Sequence, residues 1–289
     1  MSSYENIIDN AISWAKNEED IRALLIVGSR AREYYPADEW SDLDLVIITR
    51  NPKVYIQDTG WIKLISEPEI TFIEGTAVGN ELEVRVLFDG GLDVDFAIVP
   101  LDIFVRNINV FSPVATRGIK VLIDKEGIFS NLNLNREKVQ HKIPSGFEFT
   151  NLINDFWYHS VWTTKKLLRG EIWTAKLCCD VYMKNTLLRM IEWHSLSRNN
   201  WDYDVWHSGR FLEQWADPRI IEGLKKAYAY YDKKDIERAL LETMNLFRMI
   251  ATETSETLGY NYPENEDRYA TELVRKLLGK DFLRREDVT

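Results

Sequence analysis

Residues 23–48 read ALLIVGSRAREYYPADEWSDLDLVII. Two apolar runs, Ala23 to Val27 and Leu43 to Ile48, are long enough to be strands and carry no helical spacing of polar residues. Between them lies a loop punctuated by Pro36 and Trp40. The first run ends in Gly28-Ser29-Arg30 and the second opens with Asp42-Leu43-Asp44. Glycine lets a chain turn without a Cβ clash and lets backbone N–H groups approach an anion. Serine adds a hydroxyl and arginine a charged fork suited to phosphate oxygens. On a strand, residues two apart project to one side, so Asp42 and Asp44 present two carboxylates together while Leu43 faces the core. Such carboxylates repel and raise each other's pKa. A divalent cation relieves this, and magnesium takes one or two carboxylates together with phosphate oxygens. Each piece alone is common: strands often end in Gly-Ser, and Asp-x-Asp often marks a solvated loop-to-strand junction.

Working outward, Tyr4, Ile7, Ile8, Ala11, Ile12 and Ala15 recur at helical spacing and predict a helix over 4–15. Residues 83–88 (EVRVLF) and 92–99 (LDVDFAIV) alternate cleanly around Gly90-Gly91, which predicts an antiparallel hairpin. Acid inside that second apolar strand is costly unless paired or metal-bound. Asp93 and Asp95 share a face, and Asp95, deeper in the run, is the better third ligand. A short helix over 101–110 and a strand over 121–123 complete this half. Beyond Pro144 the strand signals stop. Three helical stripes follow: Trp157, Val161, Thr164, Leu168; then Leu177, Val181, Leu188, Ile191; then Ile236, Leu240, Met244, Phe247, Ala251, Leu258. The expectation is an α+β protein, with a mixed-sheet domain over residues 1–135 and a helical bundle over 145–289.

Composition limits the partners. Among 289 residues the net charge is −10, which repels nucleic-acid phosphates and attracts a cation. The sequence shows no span apolar enough for a bilayer and no basic, then apolar, leader at MSSYENIIDNAISW. The expectation is therefore a soluble cytoplasmic protein without membrane or nucleic-acid partners, monomeric or weakly dimeric. Cys178 and Cys179 are adjacent and exclude a disulfide framework. His141, His159, His194 and His207 have no zinc-ligand spacing.

A Gly-Ser turn, twelve intervening residues, Asp-x-Asp flanked by aliphatics and a later strand aspartate are together far more specific than singly. Over residues 20–125 this resembles the nucleotidyltransferase superfamily with the DNA polymerase β-type fold. The resemblance implies that Asp42, Asp44 and Asp95 are catalytic residues holding two magnesium ions. It narrows further. Asp95-Phe-Ala-Ile-Val-Pro100, Val121-Leu-Ile-Asp-Lys125, Phe156-Trp157, Leu187-Leu-Arg-Met190, Trp193-His194, Leu246-Phe247-Arg248 and Leu258-Gly-Tyr-Asn-Tyr-Pro263 look like the aminoglycoside 6-adenylyltransferases. That likeness implies transfer of AMP from ATP to a hydroxyl of a streptomycin-like cationic acceptor, with release of pyrophosphate. Gly28, Ser29, Arg30 and Lys165 would then bind ATP. Glu171 and Asp180 are alternatives to Asp95 as the base, and Asp180, Asp202 and Asp204 could pair with acceptor cations. Trp173, Trp201, Trp206 and Trp215 are either core or pocket wall. Two stretches depart from the family's pattern: His207-Ser-Gly-Arg-Phe211 and Ala175-Lys-Leu-Cys-Cys-Asp180. A lincosamide or other hydroxylated acceptor, or a nucleotide-binding module without turnover, are the competing readings.

Overall fold

The computed structural model describes residues 3–32, 35–76, 81–106, 118–130 and 141–286, with side chains described as far as 279. It divides into two compact units, Met1–Val139 and Gln140–Thr289. No helix among the described residues is long and apolar enough to cross a membrane.

The first unit is a six-stranded mixed sheet built from β1 (Ile21–Val27), β2 (Leu43–Thr49), β3 (Pro68–Gly75), β4 (Leu82–Phe88), β5 (Leu92–Pro100) and β6 (Lys120–Asp124). The order across the sheet is β3-β4-β5-β2-β1-β6. Only β2 and β5 run parallel; the other neighbours are antiparallel. β1 and β2 are central and covered on both faces, which is why they read as continuous apolar runs without alternation. β4 alternates because Val84, Val86 and Phe88 face the core while Glu83, Arg85 and Leu87 face the other way.

Helix α1 (Tyr4–Asn17) covers the core face. Its N-terminus is capped by the Ser3 hydroxyl, which accepts from Asn6 N at 3.3 Å. At its other end Lys125 Nζ donates to the carbonyls of Ala15 (2.8 Å), Lys16 (3.2 Å) and Glu18 (2.7 Å), which satisfies acceptors that a helix end leaves open. Ile7, Ala11 and Ala15 are buried against Leu24, Ile26, Leu43, Leu45 and Phe96. Helix α2 (Pro52–Gln57) brings Tyr55 to the same layer, where Trp14 stacks on Trp61 with centroids 4.6 Å apart. Helix α3 covers Leu101–Arg106; residues 107–110 of the expected helix lie outside the described residues. β3 and α2 are additions to the elements read from the sequence.

The second unit is helical: α4 (Gly146–Leu168), α5 (Ile172–Leu177), α6 (Met183–Arg198), α7 (Leu212–Trp215), α8 (Pro218–Ala227), α9 (Lys233–Leu258) and α10 (Glu264–Glu286). Helix α4 opens with a reciprocal cap, Ser145 accepting from Glu148 N while Glu148 accepts from Ser145 N. Phe156 and Phe247 stack at 3.7 Å, and Trp157 meets Phe247 edge-on at 6.1 Å. The second expected stripe is misphased. A π-helical turn, Cys178–Tyr182, joins α5 to α6. Its wider winding rotates the faces, since a π turn takes more residues than an α turn. Leu177 and Val181 are therefore exposed, and Cys178, Cys179, Met183 and Leu187 enter the core instead. Both cysteines are free thiols, and burial pushes Cys179 up to about 11.

Candidate active site

The antiparallel register of β1 and β2 sets Val27 against Asp44. Gly28, the next residue, turns the chain at φ 69°, a conformation that strains any residue with a Cβ. A Cβ on Gly28 would sit 2.0 Å from Asp44 Oδ2. The glycine is thus required twice, by the turn and by the carboxylate beside it. Ser29, in the short 3-10 turn Gly28–Ala31, is buried, and its hydroxyl has no hydrogen-bond partner among the described residues.

The parallel register of β2 and β5 sets Asp44 directly against Asp95. Asp42, two residues before Asp44, points the same way. One carboxylate oxygen from each of Asp42, Asp44 and Asp95 lies within 4.8 Å of the others. Asp95 is the most enclosed, at 8% exposure. Burial raises its pKa, with the Asp93 and Asp42 charges adding to that, while Arg85 opposes it through a hydrogen bond and its charge. Glu83, on the same face, is also pushed up, chiefly by burial and then by the Asp95 charge.

Sequence reasoning missed Arg85. Its Nε donates to Asp95 Oδ1 at 2.7 Å and its Nη1 to Glu74 Oε1 at 2.9 Å. The signal was present: counting outward from the Gly90-Gly91 turn pairs Arg85 with Asp95 across the hairpin, as β4 and β5 do.

The structure brings Gly28, Ser29, Asp42, Asp44 and Asp95 to one place. Arg30 is adjacent but turned to another task. Its Nε donates to the Asp42 carbonyl at 3.0 Å and its Nη2 to the Ser41 carbonyl at 2.7 Å, with the guanidinium 3.5 Å over the Tyr4 ring. It braces the loop that delivers Asp42. Lys165 belongs to the helical unit, exposed in the last turn of α4. Arg169 is the C-cap of that helix and pairs with Glu171 at 2.5 Å, while Lys166 takes the other Glu171 oxygen at 2.6 Å.

Asp180 pairs with Lys176 at 2.5 Å. It precedes α6, whereas Asp202 and Asp204 follow it. Sixteen helical residues lie between them in the chain. Trp206 and Trp215 are core, Trp201 packs against that core, and Trp173 is two-thirds exposed.

Three converging carboxylates are hard oxygen donors of the kind magnesium takes with phosphate. The unpartnered Ser29 hydroxyl and the Gly28 turn beside them suit phosphate oxygens, so the residues present fit both groups. Acids that must share a cation, next to a backbone shaped for an anion, are what nucleotidyl transfer asks of a protein, and this chain is a nucleotidyltransferase. The streptomycin adenylyltransferase family model matches residues 1–277, and the chain belongs to that family. It is 25% identical over 279 residues to an aminoglycoside 6-adenylyltransferase of Bacillus subtilis (strain 168), covering 92% of this chain and 95% of the relative. A Campylobacter jejuni protein of the same name is 22% identical over 283 residues, covering 96% of each. The crystal structure of a Bacillus subtilis aminoglycoside 6-adenyltransferase aligns over 96% of this chain and 99% of its own, at 22% identity and a TM-score of 0.46.

Proposed function

We propose that the protein transfers AMP from ATP to a hydroxyl of a streptomycin-like aminoglycoside in the cytoplasm, with magnesium, releasing pyrophosphate. The observation that carries this reading is the convergence of Asp42, Asp44 and Asp95 within 4.8 Å beside the Gly28-Ser29 turn. The Gly28 and Ser29 N–H groups and the Ser29 hydroxyl receive triphosphate oxygens. Asp42 and Asp44 would hold a cation with the triphosphate, and with Asp95 they would hold a second. Bound magnesium supplies charge neutralisation at the entering and leaving oxygens. The acceptor oxygen forms a bond to the α-phosphorus as the bond from that phosphorus to the pyrophosphate oxygen breaks. The hydroxyl proton leaves to solvent, because one Asp95 oxygen is held by Arg85 at 2.7 Å and the other is assigned to the cation.

Glu171 and Asp180 belong to the helical unit and are each paired with a lysine. Lys165 enters the proposal as a ligand of ATP on the family resemblance, and Lys165→Ala is expected to raise KM for ATP. The net charge of −10 favours a cationic acceptor.

The test is mass spectrometry of streptomycin incubated with the protein, ATP and magnesium. A gain of one AMP unit, absent with Asp42→Asn, is the expected result. No gain with the wild type, under conditions where another hydroxylated acceptor is modified, refutes the acceptor. Undiminished transfer by Asp42→Asn refutes the site.

A further inference from the structure

We propose that Arg85 is a positioning residue for the triad: it fixes one oxygen of Asp95 so that the other is aimed at the divalent cation. This rests on the metal-binding reading of the triad given above. Arg85 stands directly across the β4–β5 pair from Asp95, and its Nε donates to Oδ1 at 2.7 Å. The guanidinium is itself bracketed, because Nη1 donates to Glu74 Oε1 on β3 at 2.9 Å. It is therefore held by two strands, one on each side of its own.

The fork is planar and its bond directions are fixed. With Oδ1 engaged, rotation of the Asp95 carboxylate would break that bond, so Oδ2 is the oxygen left for a cation. The surroundings make a basic group necessary. Asp95 is nearly enclosed, and Asp42, Asp44, Asp93 and Glu83 all add negative charge on or beside its face. Arg85 is the basic side chain acting on it.

Carboxylates that ligate metals are commonly held by such outer partners, and removing one costs about 10–100-fold in metal affinity or activity. An opposite outcome is conceivable on the same geometry. Arg85 could act as a resident cation that competes for Asp95, and its removal would then tighten metal binding. The sign of the effect separates the two.

The experiment titrates Mn2+ into the full chain with a non-hydrolysable ATP analogue and follows free Mn2+ by electron paramagnetic resonance. Arg85→Ala is expected to weaken Mn2+ binding by about 10–100-fold. Arg85→Lys keeps a charge but not the fork and should fall between the two. Glu74→Gln touches Arg85 and not Asp95, and its loss should be about fivefold at most, the size of an exposed ion pair. In turnover, kcat should fall with KM for the acceptor unchanged. Wild-type or tighter Mn2+ binding by folded Arg85→Ala overturns the proposal. Should that variant fail to fold, undiminished binding in both Arg85→Lys and Glu74→Gln overturns it equally. Asp42→Asn runs alongside. If it keeps full Mn2+ affinity, the metal reading fails and Arg85's role with it. If it loses Mn2+ while the Arg85 and Glu74 variants do not, only the role of Arg85 fails.

Discussion

Asp267 and Glu253 of the helical unit and the carboxylate triad of the sheet unit are treated in opposite ways. In the helical unit, buried Asp267 receives Arg248 through two bonds of 2.6 and 2.5 Å, the Tyr262 hydroxyl at 2.7 Å and the Thr271 hydroxyl at 2.9 Å. Glu253 receives His194 at 2.9 Å and Arg219 at 2.8 Å. Both of these acids face the protein's own donors. In the sheet unit Asp42, Asp44 and Asp95 face one another across less than 5 Å, and the Ser29 hydroxyl beside them bonds to nothing described. A matched acid holds a fold together, whereas acids turned on each other are held in place by the fold for an external cation. The location of repulsion is thus a better guide to chemistry than the number of acids.

The sharpest way to break this contrast is Asp44→Asn. Loss of a triad charge should cut kcat/KM by about a thousandfold or more, roughly 4 kcal/mol of transition-state stabilisation, while relief of repulsion leaves Tm unchanged or slightly raised. A fall in Tm comparable to the loss of activity would make Asp44 a structural acid. Phe247→Ala tests the other side. Its ring is fully buried and stacked on Phe156, so truncation should cost about 4 kcal/mol of stability, read by urea unfolding. At temperatures where the variant stays folded, its Mn2+ affinity should be that of the wild type. Gly28→Ala comes next and acts at the boundary between fold and site. The new Cβ displaces the Asp44 carboxylate and sits at a left-handed φ. Activity should drop about a hundredfold, roughly 2.7 kcal/mol, against about 1–2 kcal/mol of folding strain. Equal turnover by Gly28→Ala would show that the position of Asp44 is not critical.

What could be read from the chain follows the same division. The strands around Gly28, Asp42 and Asp44 were legible because buried central strands are apolar throughout and a lone Asp-x-Asp stands out against them. The β4–β5 hairpin was legible from alternation. β3 was not, since Ile70, Phe72, Ile73 and their neighbours are largely exposed on both faces at the edge of the sheet and so carry no burial period. Arg85 was hidden for a different reason: in an alternating strand an outward arginine looks like any solvated residue until the register places Asp95 opposite. The stripe through Leu177 and Val181 failed because a single π turn changes the period, which counting at 3.6 residues per turn does not reveal. Arg30 was read for its charge, but its geometry gives its fork to two backbone carbonyls.

The smallest expected effect comes from Asp217, a matched acid near the surface. It caps α8 by accepting from Arg219 N at 2.9 Å, and the Arg219 side chain binds it with Nη2 at 2.8 Å. The arginine hydrogen bond first, then the backbone N–H, lowers its pKa to about 2. An unfolded aspartate titrates at about 3.9. The folded value is the lower one, so the unfolded chain binds the proton more readily. The stabilisation is therefore complete above about pH 4 and is lost as pH falls from there through about 2. Arg219 is half exposed, so screening keeps the ion pair small. Asp217→Ala should cost about 1 kcal/mol at pH 7, most of it the lost cap, and the difference should shrink as pH falls from about 4 through about 2. Urea unfolding of both proteins at several pH values gives the difference directly. Salt at 1 M should remove the arginine share and leave the cap. A difference that persists undiminished at pH 2 would mean that the aspartate acts by packing and not by charge, and the distinction between matched and opposed carboxylates would lose its physical basis at this site.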